Sequence, residues 1–159
     1  MKQFKRAVFL ILTLCWMALI FWFSAQEAEV SSDLSGRFIA RLLSLFVEDF
    51  DTMDEASRLA MIDSLQTLVR KCAHMGVYAV LGVFVALFMS TFSIEVKKQV
   101  VIALAICIIY AASDEIHQSF VPGRSCELRD VCIDSLGSLI GMTLCRLIFY
   151  VNSRRCRHG

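Results

Sequence analysis

Ionisable side chains gather at the ends of long apolar runs in this sequence. Lys71, His74 and Tyr78 are spaced so that they share one face of a helix. The polar segment 113–124, SDEIHQSFVPGR, directly follows the apolar run 100–112. Imidazole, carboxylate and guanidinium groups held together could bind a charged ligand or carry out acid–base chemistry. The pattern therefore predicts a polar site.

Helical spacing separates the side chains of this segment. Asp114, His117 and Gln118 share one face, whereas Glu115 is rotated by about 100° from Asp114. A Pro-Gly pair then predicts a turn that returns Arg124 toward this face.

The last apolar run begins with a third polar stripe. Asp130, Asp134, Gly137 and Gly141 follow helical spacing, and the two glycines predict close approach to another helix. We therefore expect three helix ends to form one site. Its predicted ligand-binding residues are Lys71, His74, Tyr78, Asp114, Glu115, Gln118, Arg124, Asp130 and Asp134.

The elements that position this site are predicted to be membrane-spanning helices. Of the 159 residues, 57% are hydrophobic, the mean hydropathy is +0.64, and a spanning helix needs about 20 mostly apolar residues. The run 100–112 covers only about 20 Å, so its helix must continue into the polar segment. The sequence contains four long apolar runs, which is unusual for a soluble helical protein. We predict one all-α polytopic membrane domain, 1–159, a four-transmembrane-helix bundle with helices at about 7–23, 73–92, 99–120 and 131–151.

An outer segment, 27–70, is predicted to contain amphipathic helices. In 36–46, Phe38, Leu42 and Leu45 form an apolar stripe, and 55–74 repeats the pattern. These helices could lie on the membrane surface or cover the bundle as a lid. A cleaved signal peptide is the alternative for the first run, but that run is long and lacks a clear cleavage site.

Charge and cysteine content limit the location and the partners. Basic residues concentrate in short segments, which marks the cytoplasmic side and predicts that both termini lie inside. The outer segments are acidic, which argues against a nucleic-acid partner. Seven cysteines form no CxxC pair, and a disulfide among Cys72, Cys126 and Cys132 stays open. We expect no metal site and no cofactor, because no HExxH or comparable ligand spacing occurs. The basic residues are Lys2, Lys5, Arg6, Lys97, Lys98, Arg146, Arg154, Arg155 and Arg157.

Four motifs resemble those of the VanZ-like family of small membrane proteins. They are FSAQ at 23–26, RKCAHMGVYAVLG at 70–82, SDEIHQSFVPGR at 113–124 and DVCIDSLGSLIG at 130–141. The resemblance spans nearly the whole chain and implies residence in the bacterial inner membrane. It also implies a link to the cell envelope and to teicoplanin resistance, without an agreed biochemical activity. Asp134 departs from the pattern, because the family usually has Asn there.

The first functional hypothesis is non-enzymatic binding of an envelope lipid or lipid-linked ligand. Arg124 and Lys71 would hold a phosphate or carboxylate, and Tyr78, Gln118 and Phe120 would frame the ligand at headgroup depth.

The second hypothesis is a membrane-embedded hydrolase or transferase acting on a lipid phosphate or glycolipid. His74 or His117 would be base or nucleophile, with Glu115 and Asp114 as acid–base partners. A metal held by His74, Glu115, His117 and Asp130 is a variant without motif support. Further alternatives are a proton relay or transporter, a structural partner of another membrane protein, and an interhelical salt-bridge network.

Overall fold

The chain is all-α, as the sequence predicts. A computed structural model describes the backbone of residues 1–25, 28–122 and 126–158, and the side chains of 1–25, 36–122 and 126–154. Its described elements are α1 (Lys2–Ser24), α2 (Ala28–Phe46), a short 3-10 helix (Phe50–Thr52), α3 (Glu55–Met89), α4 (Val96–Gln118) and α5 (Leu128–His158).

Four of these helices are long and apolar enough to cross a membrane. They are α1, α3, α4 and the part of α5 up to Arg154, which confirms the prediction of four candidate spans. Large apolar side chains remain exposed around the bundle, including Ile11, Ile109 and Phe149. In a spanning bundle such side chains face lipid rather than water.

Helix α3 continues without interruption from the amphipathic segment into the second apolar run. Its 35 residues correspond to about 52 Å, well beyond the roughly 30 Å of hydrocarbon in a bilayer. Asp54 caps its start by accepting the backbone N–H of Ser57 at 2.9 Å. Hydrogen bonds from Ser57 hold the pKa of the Asp54 carboxyl below its usual range.

Helices α3 and α5 approach most closely, because glycines face the backbone of the partner helix. A Cβ at Gly137 would overlap the carbonyl oxygen of Met75, and one at Gly141 would overlap that of Ala79. Gly82 of α3 faces α5 in the same way. The close approach predicted from the Gly137/Gly141 spacing is therefore present.

Helix α1 is attached to α3 and to α4 by hydrogen bonds between a side chain and a helix backbone. The indole of Trp16 donates to the carbonyl of Val77 at 2.9 Å, and the hydroxyl of Tyr110 donates to that of Met17 at 2.6 Å. Each bond satisfies a polar group inside the apolar bundle, where an unpaired group is costly.

Helix α2 folds back on the first half of α3, and a small apolar core joins them. The residues of α2 that pack there are Ile39 and Leu43. The expected stripe of Phe38, Leu42 and Leu45 is exposed instead. We call the unit formed by α2, the 3-10 helix and residues 55–70 the helical hairpin. Its core consists of Ile39, Leu43, Phe50, Val47, Met53, Met61, Ile62 and Leu65.

The bundle end formed by the start of α1 and the end of α5 carries its own polar contacts. A guanidinium nitrogen of Arg6 donates to the carbonyl of Thr91 at 3.3 Å. Arg146 donates to the side-chain oxygen of Gln99 at 3.2 Å. The predicted site residues with described side chains lie toward the opposite end.

Candidate functional site

The predicted site residues form two adjacent groups toward one end of the bundle. One group, which we call the buried cluster, consists of Ser24, Tyr78, Asp114 and Gln118. The other lines a small opening, which we call the polar cavity. Its described lining is Arg70, Lys71, His74, Glu115, Asp130, Ile133 and Asp134.

The buried cluster is centred on the carboxylate of Asp114, which is 2% exposed. Its Oδ2 accepts hydrogen bonds from the Ser24 hydroxyl at 2.8 Å, the Gln118 amide at 3.1 Å and the Tyr78 hydroxyl at 3.2 Å. Three side chains, one each from α1, α3 and α4, thus share one acceptor on Asp114. Such an arrangement fixes helix positions, because each polar group depends on the others.

Local helix geometry explains the cluster. Asp114 and Gln118 are one turn apart on α4, so their side chains lie on one face. Ser24 is the last residue of α1, and its small side chain lets α1 come close to α4. Sequence reasoning did not include Ser24 among the site residues. The available signal was its place in the FSAQ motif.

The polar cavity is small. Its volume is about 30 Å³, which holds about one or two water molecules. Helix α3 supplies Arg70, Lys71 and His74, whereas α4 and α5 supply carboxylates. Two basic residues and a histidine thus line one wall, and carboxylates line the other.

Lys71 is already paired across the cavity. Its ammonium lies 2.6 Å from the Asp130 carboxylate and 3.7 Å from that of Glu127. The Lys71 side chain is only 21% exposed, so this pair is shielded from water more than a surface salt bridge. The charge of Lys71 is therefore balanced within the protein.

His74 and Asp134 face each other without a hydrogen bond. Nδ1 of His74 lies 3.8 Å from Oδ2 of Asp134, beyond hydrogen-bonding range. The other oxygen of Asp134, Oδ1, is buried and has no hydrogen-bond partner among the described residues. Asp134 is 2% exposed. Its carboxylate is therefore deeply buried, with no hydrogen bond to Oδ1 from the described residues.

Glu115 joins the ends of α4 and α5. Its Oε1 accepts the backbone N–H of Glu127, the residue before α5, at 2.8 Å. Glu115 is only 3% exposed. The contact ties the residue before α5 to the last turn of α4.

Comparison with known proteins then assigns the chain to a family. A model of the VanZ/LLP1 family matches residues 9–149. The chain belongs to the VanZ/LLP1 family. No significant match was found among curated proteins or among solved structures. The family match includes the buried cluster and the described lining of the polar cavity.

In this VanZ/LLP1 protein the predicted site residues divide between the two groups. Tyr78, Asp114 and Gln118 belong to the buried cluster, while Arg70 and Ile133 are cavity residues that the sequence did not single out. Arg124 lies outside the described residues. The predicted residues that line the cavity are Lys71, His74, Glu115, Asp130 and Asp134.

Several residues weighed for other chemistry lie elsewhere. His117 stacks on Phe21 of α1, with ring centroids 3.9 Å apart, and Phe120 is 81% exposed. Within the described part of the chain, no group of three or more His, Cys, Asp or Glu side chains is arranged to hold a metal. Cys72, Cys126 and Cys132 are exposed free thiols.

Proposed function

We propose that this VanZ/LLP1 protein binds an envelope lipid or lipid-linked ligand at the polar cavity. We further propose that this binding contributes to resistance against teicoplanin-type (lipo)glycopeptides, the theme associated with the family. The single observation that carries the proposal is a charged cavity that lies among helices apolar enough to span a membrane. Ionisable groups at such positions usually serve a function.

The surroundings of the cavity suit an amphiphilic ligand. Ile116 and Phe120 of the α4 end, and Leu128 at the start of α5, are exposed apolar side chains toward the same end of the bundle. A molecule with a polar end in the cavity could lay its acyl chain against such surfaces. The small cavity volume admits only the tip of a headgroup.

The proposed location follows from the distribution of basic residues. Arg6 and Arg146 lie toward the bundle end away from the cavity. Lys and Arg in short segments favour the cytoplasmic side. We therefore place both termini in the cytoplasm of a bacterial cell and the cavity near the outer leaflet of the inner membrane.

The test is native mass spectrometry of protein extracted with its own lipids. Ile133 lines the cavity, so Ile133→Trp should fill it and remove a specific lipid adduct that the wild type retains. Ile109→Trp is the matched control, because Ile109 is 70% exposed on the lipid-facing side of α4. Equal adducts on both variants would rule out binding at the cavity.

A membrane-embedded hydrolase or transferase is the second candidate. It is favoured by the position of His74 beside Asp134, with Glu115 in the same cavity, which resembles an acid–base arrangement. For an enzyme, His74→Ala should retain the lipid adduct while conversion of the bound lipid stops. A wild type that leaves its bound lipid chemically unchanged would argue against this candidate.

A further inference from the structure

Two buried carboxylates of the polar cavity have no Lys or Arg partner among the described residues. Glu115 and Asp134 are 3% and 2% exposed. Among the described residues, no Lys or Arg nitrogen lies within ion-pairing distance of either one, and Lys71 is engaged with Asp130 and Glu127. Glu115 accepts one backbone N–H, and Asp134 faces the His74 imidazole at 3.8 Å. A buried carboxylate without a Lys or Arg partner is costly, so this wall of the cavity is complementary to a positive charge.

The size of the cavity restricts that charge to a small group. A volume of about 30 Å³ accepts a group close in size to water. A primary ammonium has this size and three N–H donors for carboxylate oxygens. A quaternary ammonium is larger and has no N–H donor, and a phosphate is both larger and of the same charge sign as the wall.

We propose that Glu115 and Asp134 bind the primary ammonium of an amine-bearing ligand. This inference rests on the proposed function and names the ligand class of the same site. Asp134 supports it independently, because its buried Oδ1 atom has no hydrogen-bond partner among the described residues, which leaves this carboxylate with uncompensated negative charge. The amine belongs either to a lipid headgroup or to a soluble molecule.

The lipid arm of the experiment compares three phospholipids with the same acyl chains. Phosphatidylethanolamine, phosphatidylcholine and phosphatidylglycerol are each added to delipidated full-length protein, and retained lipid is measured by native mass spectrometry. We expect phosphatidylethanolamine to be retained about tenfold more than either other lipid, because only its headgroup donates charge-assisted N–H bonds.

Two variants test whether the carboxylates cause this preference. Glu115→Gln and Asp134→Asn keep the shape of each side chain and remove its charge, so each should reduce the preference to about twofold or less. Glu95→Gln is the control, because Glu95 is an exposed residue at the start of α4, toward the opposite end of the bundle. A thermal unfolding curve of each variant verifies that it is folded.

The soluble arm uses ethanolamine, with choline and sodium as controls, and records the thermal unfolding temperature. Stabilisation by ethanolamine alone, without selective lipid retention, would support ammonium recognition and assign the amine to a soluble ligand. That result would overturn the lipid proposal and leave this inference standing.

Other outcomes overturn the inference. Retention of phosphatidylglycerol but not phosphatidylethanolamine would refute ammonium recognition while leaving lipid binding intact. Equal effects of sodium and ethanolamine, or an unchanged preference in both carboxylate variants, would also refute it. Loss of all lipid retention and of any ethanolamine effect would remove both proposals.

Discussion

The hydroxyl of Ser24 donates to Oδ2 of Asp114 at 2.8 Å, which joins the end of α1 to the end of α4. The Gln118 amide contacts both partners, at 3.3 Å from the Ser24 oxygen and 3.1 Å from Asp114 Oδ2. The side chains of the buried cluster therefore depend on one another. Glu115, the neighbour of Asp114 in sequence, lines the polar cavity, so the cluster also holds one wall of the site in place.

Removal of the Ser24 hydroxyl should weaken the bundle. We expect Ser24→Ala to lower the free energy of unfolding by about 1 kcal/mol, since interhelical hydrogen bonds in membranes contribute roughly this much. Steric trapping in bicelles measures this change. Ser119→Ala is the control, because the Ser119 hydroxyl is exposed and bonds only within its own helix end. Equal stability of the two variants would contradict the role of the cluster.

Glycine substitutions should separate close packing from helix propensity. Gly141→Ala should destabilise the protein by about 1–3 kcal/mol, because its Cβ would overlap the Ala79 carbonyl and push α3 and α5 apart. Gly76→Ala should be neutral or stabilising by up to about 1 kcal/mol, since a Cβ there meets no atom within 4 Å. The same unfolding assay compares them. A Gly141→Ala variant as stable as Gly76→Ala would refute the close contact.

Single cysteines in a cysteine-free background should report topology and burial. Glu48→Cys, in the turn of the helical hairpin, should react with a membrane-impermeant maleimide applied to spheroplasts. Lys97→Cys, at the start of α4, should react only after permeabilisation. Both native side chains are exposed, so accessibility depends on the side of the membrane. The reversed pattern would invert the proposed orientation.

The same assay tests the depth of the buried cluster. Asp114 is 2% exposed, so Asp114→Cys should remain unmodified in the native protein and react after denaturation. Free reaction in the native protein would indicate that residues around 114 form an ordinary water-exposed loop.

The helical hairpin should lose stability through its own small core. Ile39 is 5% exposed and packs toward α3, so Ile39→Ala should destabilise the hairpin by about 2–4 kcal/mol. Hydrogen exchange of α2 amides would show faster exchange, while the α5 amides stay protected. Leu45→Ala is the control, because Leu45 is 72% exposed. Similar exchange in both variants would place the core on a different face.

Periodicity predicted the spans and the faces of the polar helices well. The four-residue spacing of Asp114 and Gln118 placed them on one face, and the structure shows a hydrogen bond between them. The rotation of Glu115 away from Asp114 corresponds to its place in the polar cavity. These relationships follow from the geometry of a single helix, so they can be predicted from the sequence.

Relationships between helices were harder to predict. Ser24 meets Asp114 across 90 positions of sequence, and Lys71 pairs with Asp130 across 59. Such contacts depend on which helices are neighbours and on their axial offset, which no single-helix pattern records. The continuity of α3 was also missed, because its pattern changes from one apolar stripe to apolar all round, although no Pro interrupts it.

Helix α3 is uninterrupted, so one helix contributes both to the helical hairpin and to one wall of the polar cavity. Met61, Ile62 and Leu65 hold the hairpin on its first half, and Arg70, Lys71 and His74 follow within about two turns. A force that tilts or rotates the hairpin would therefore turn this wall of the cavity relative to the carboxylates of α4 and α5. A change in the position of the hairpin is therefore transmitted along α3 to the polar cavity.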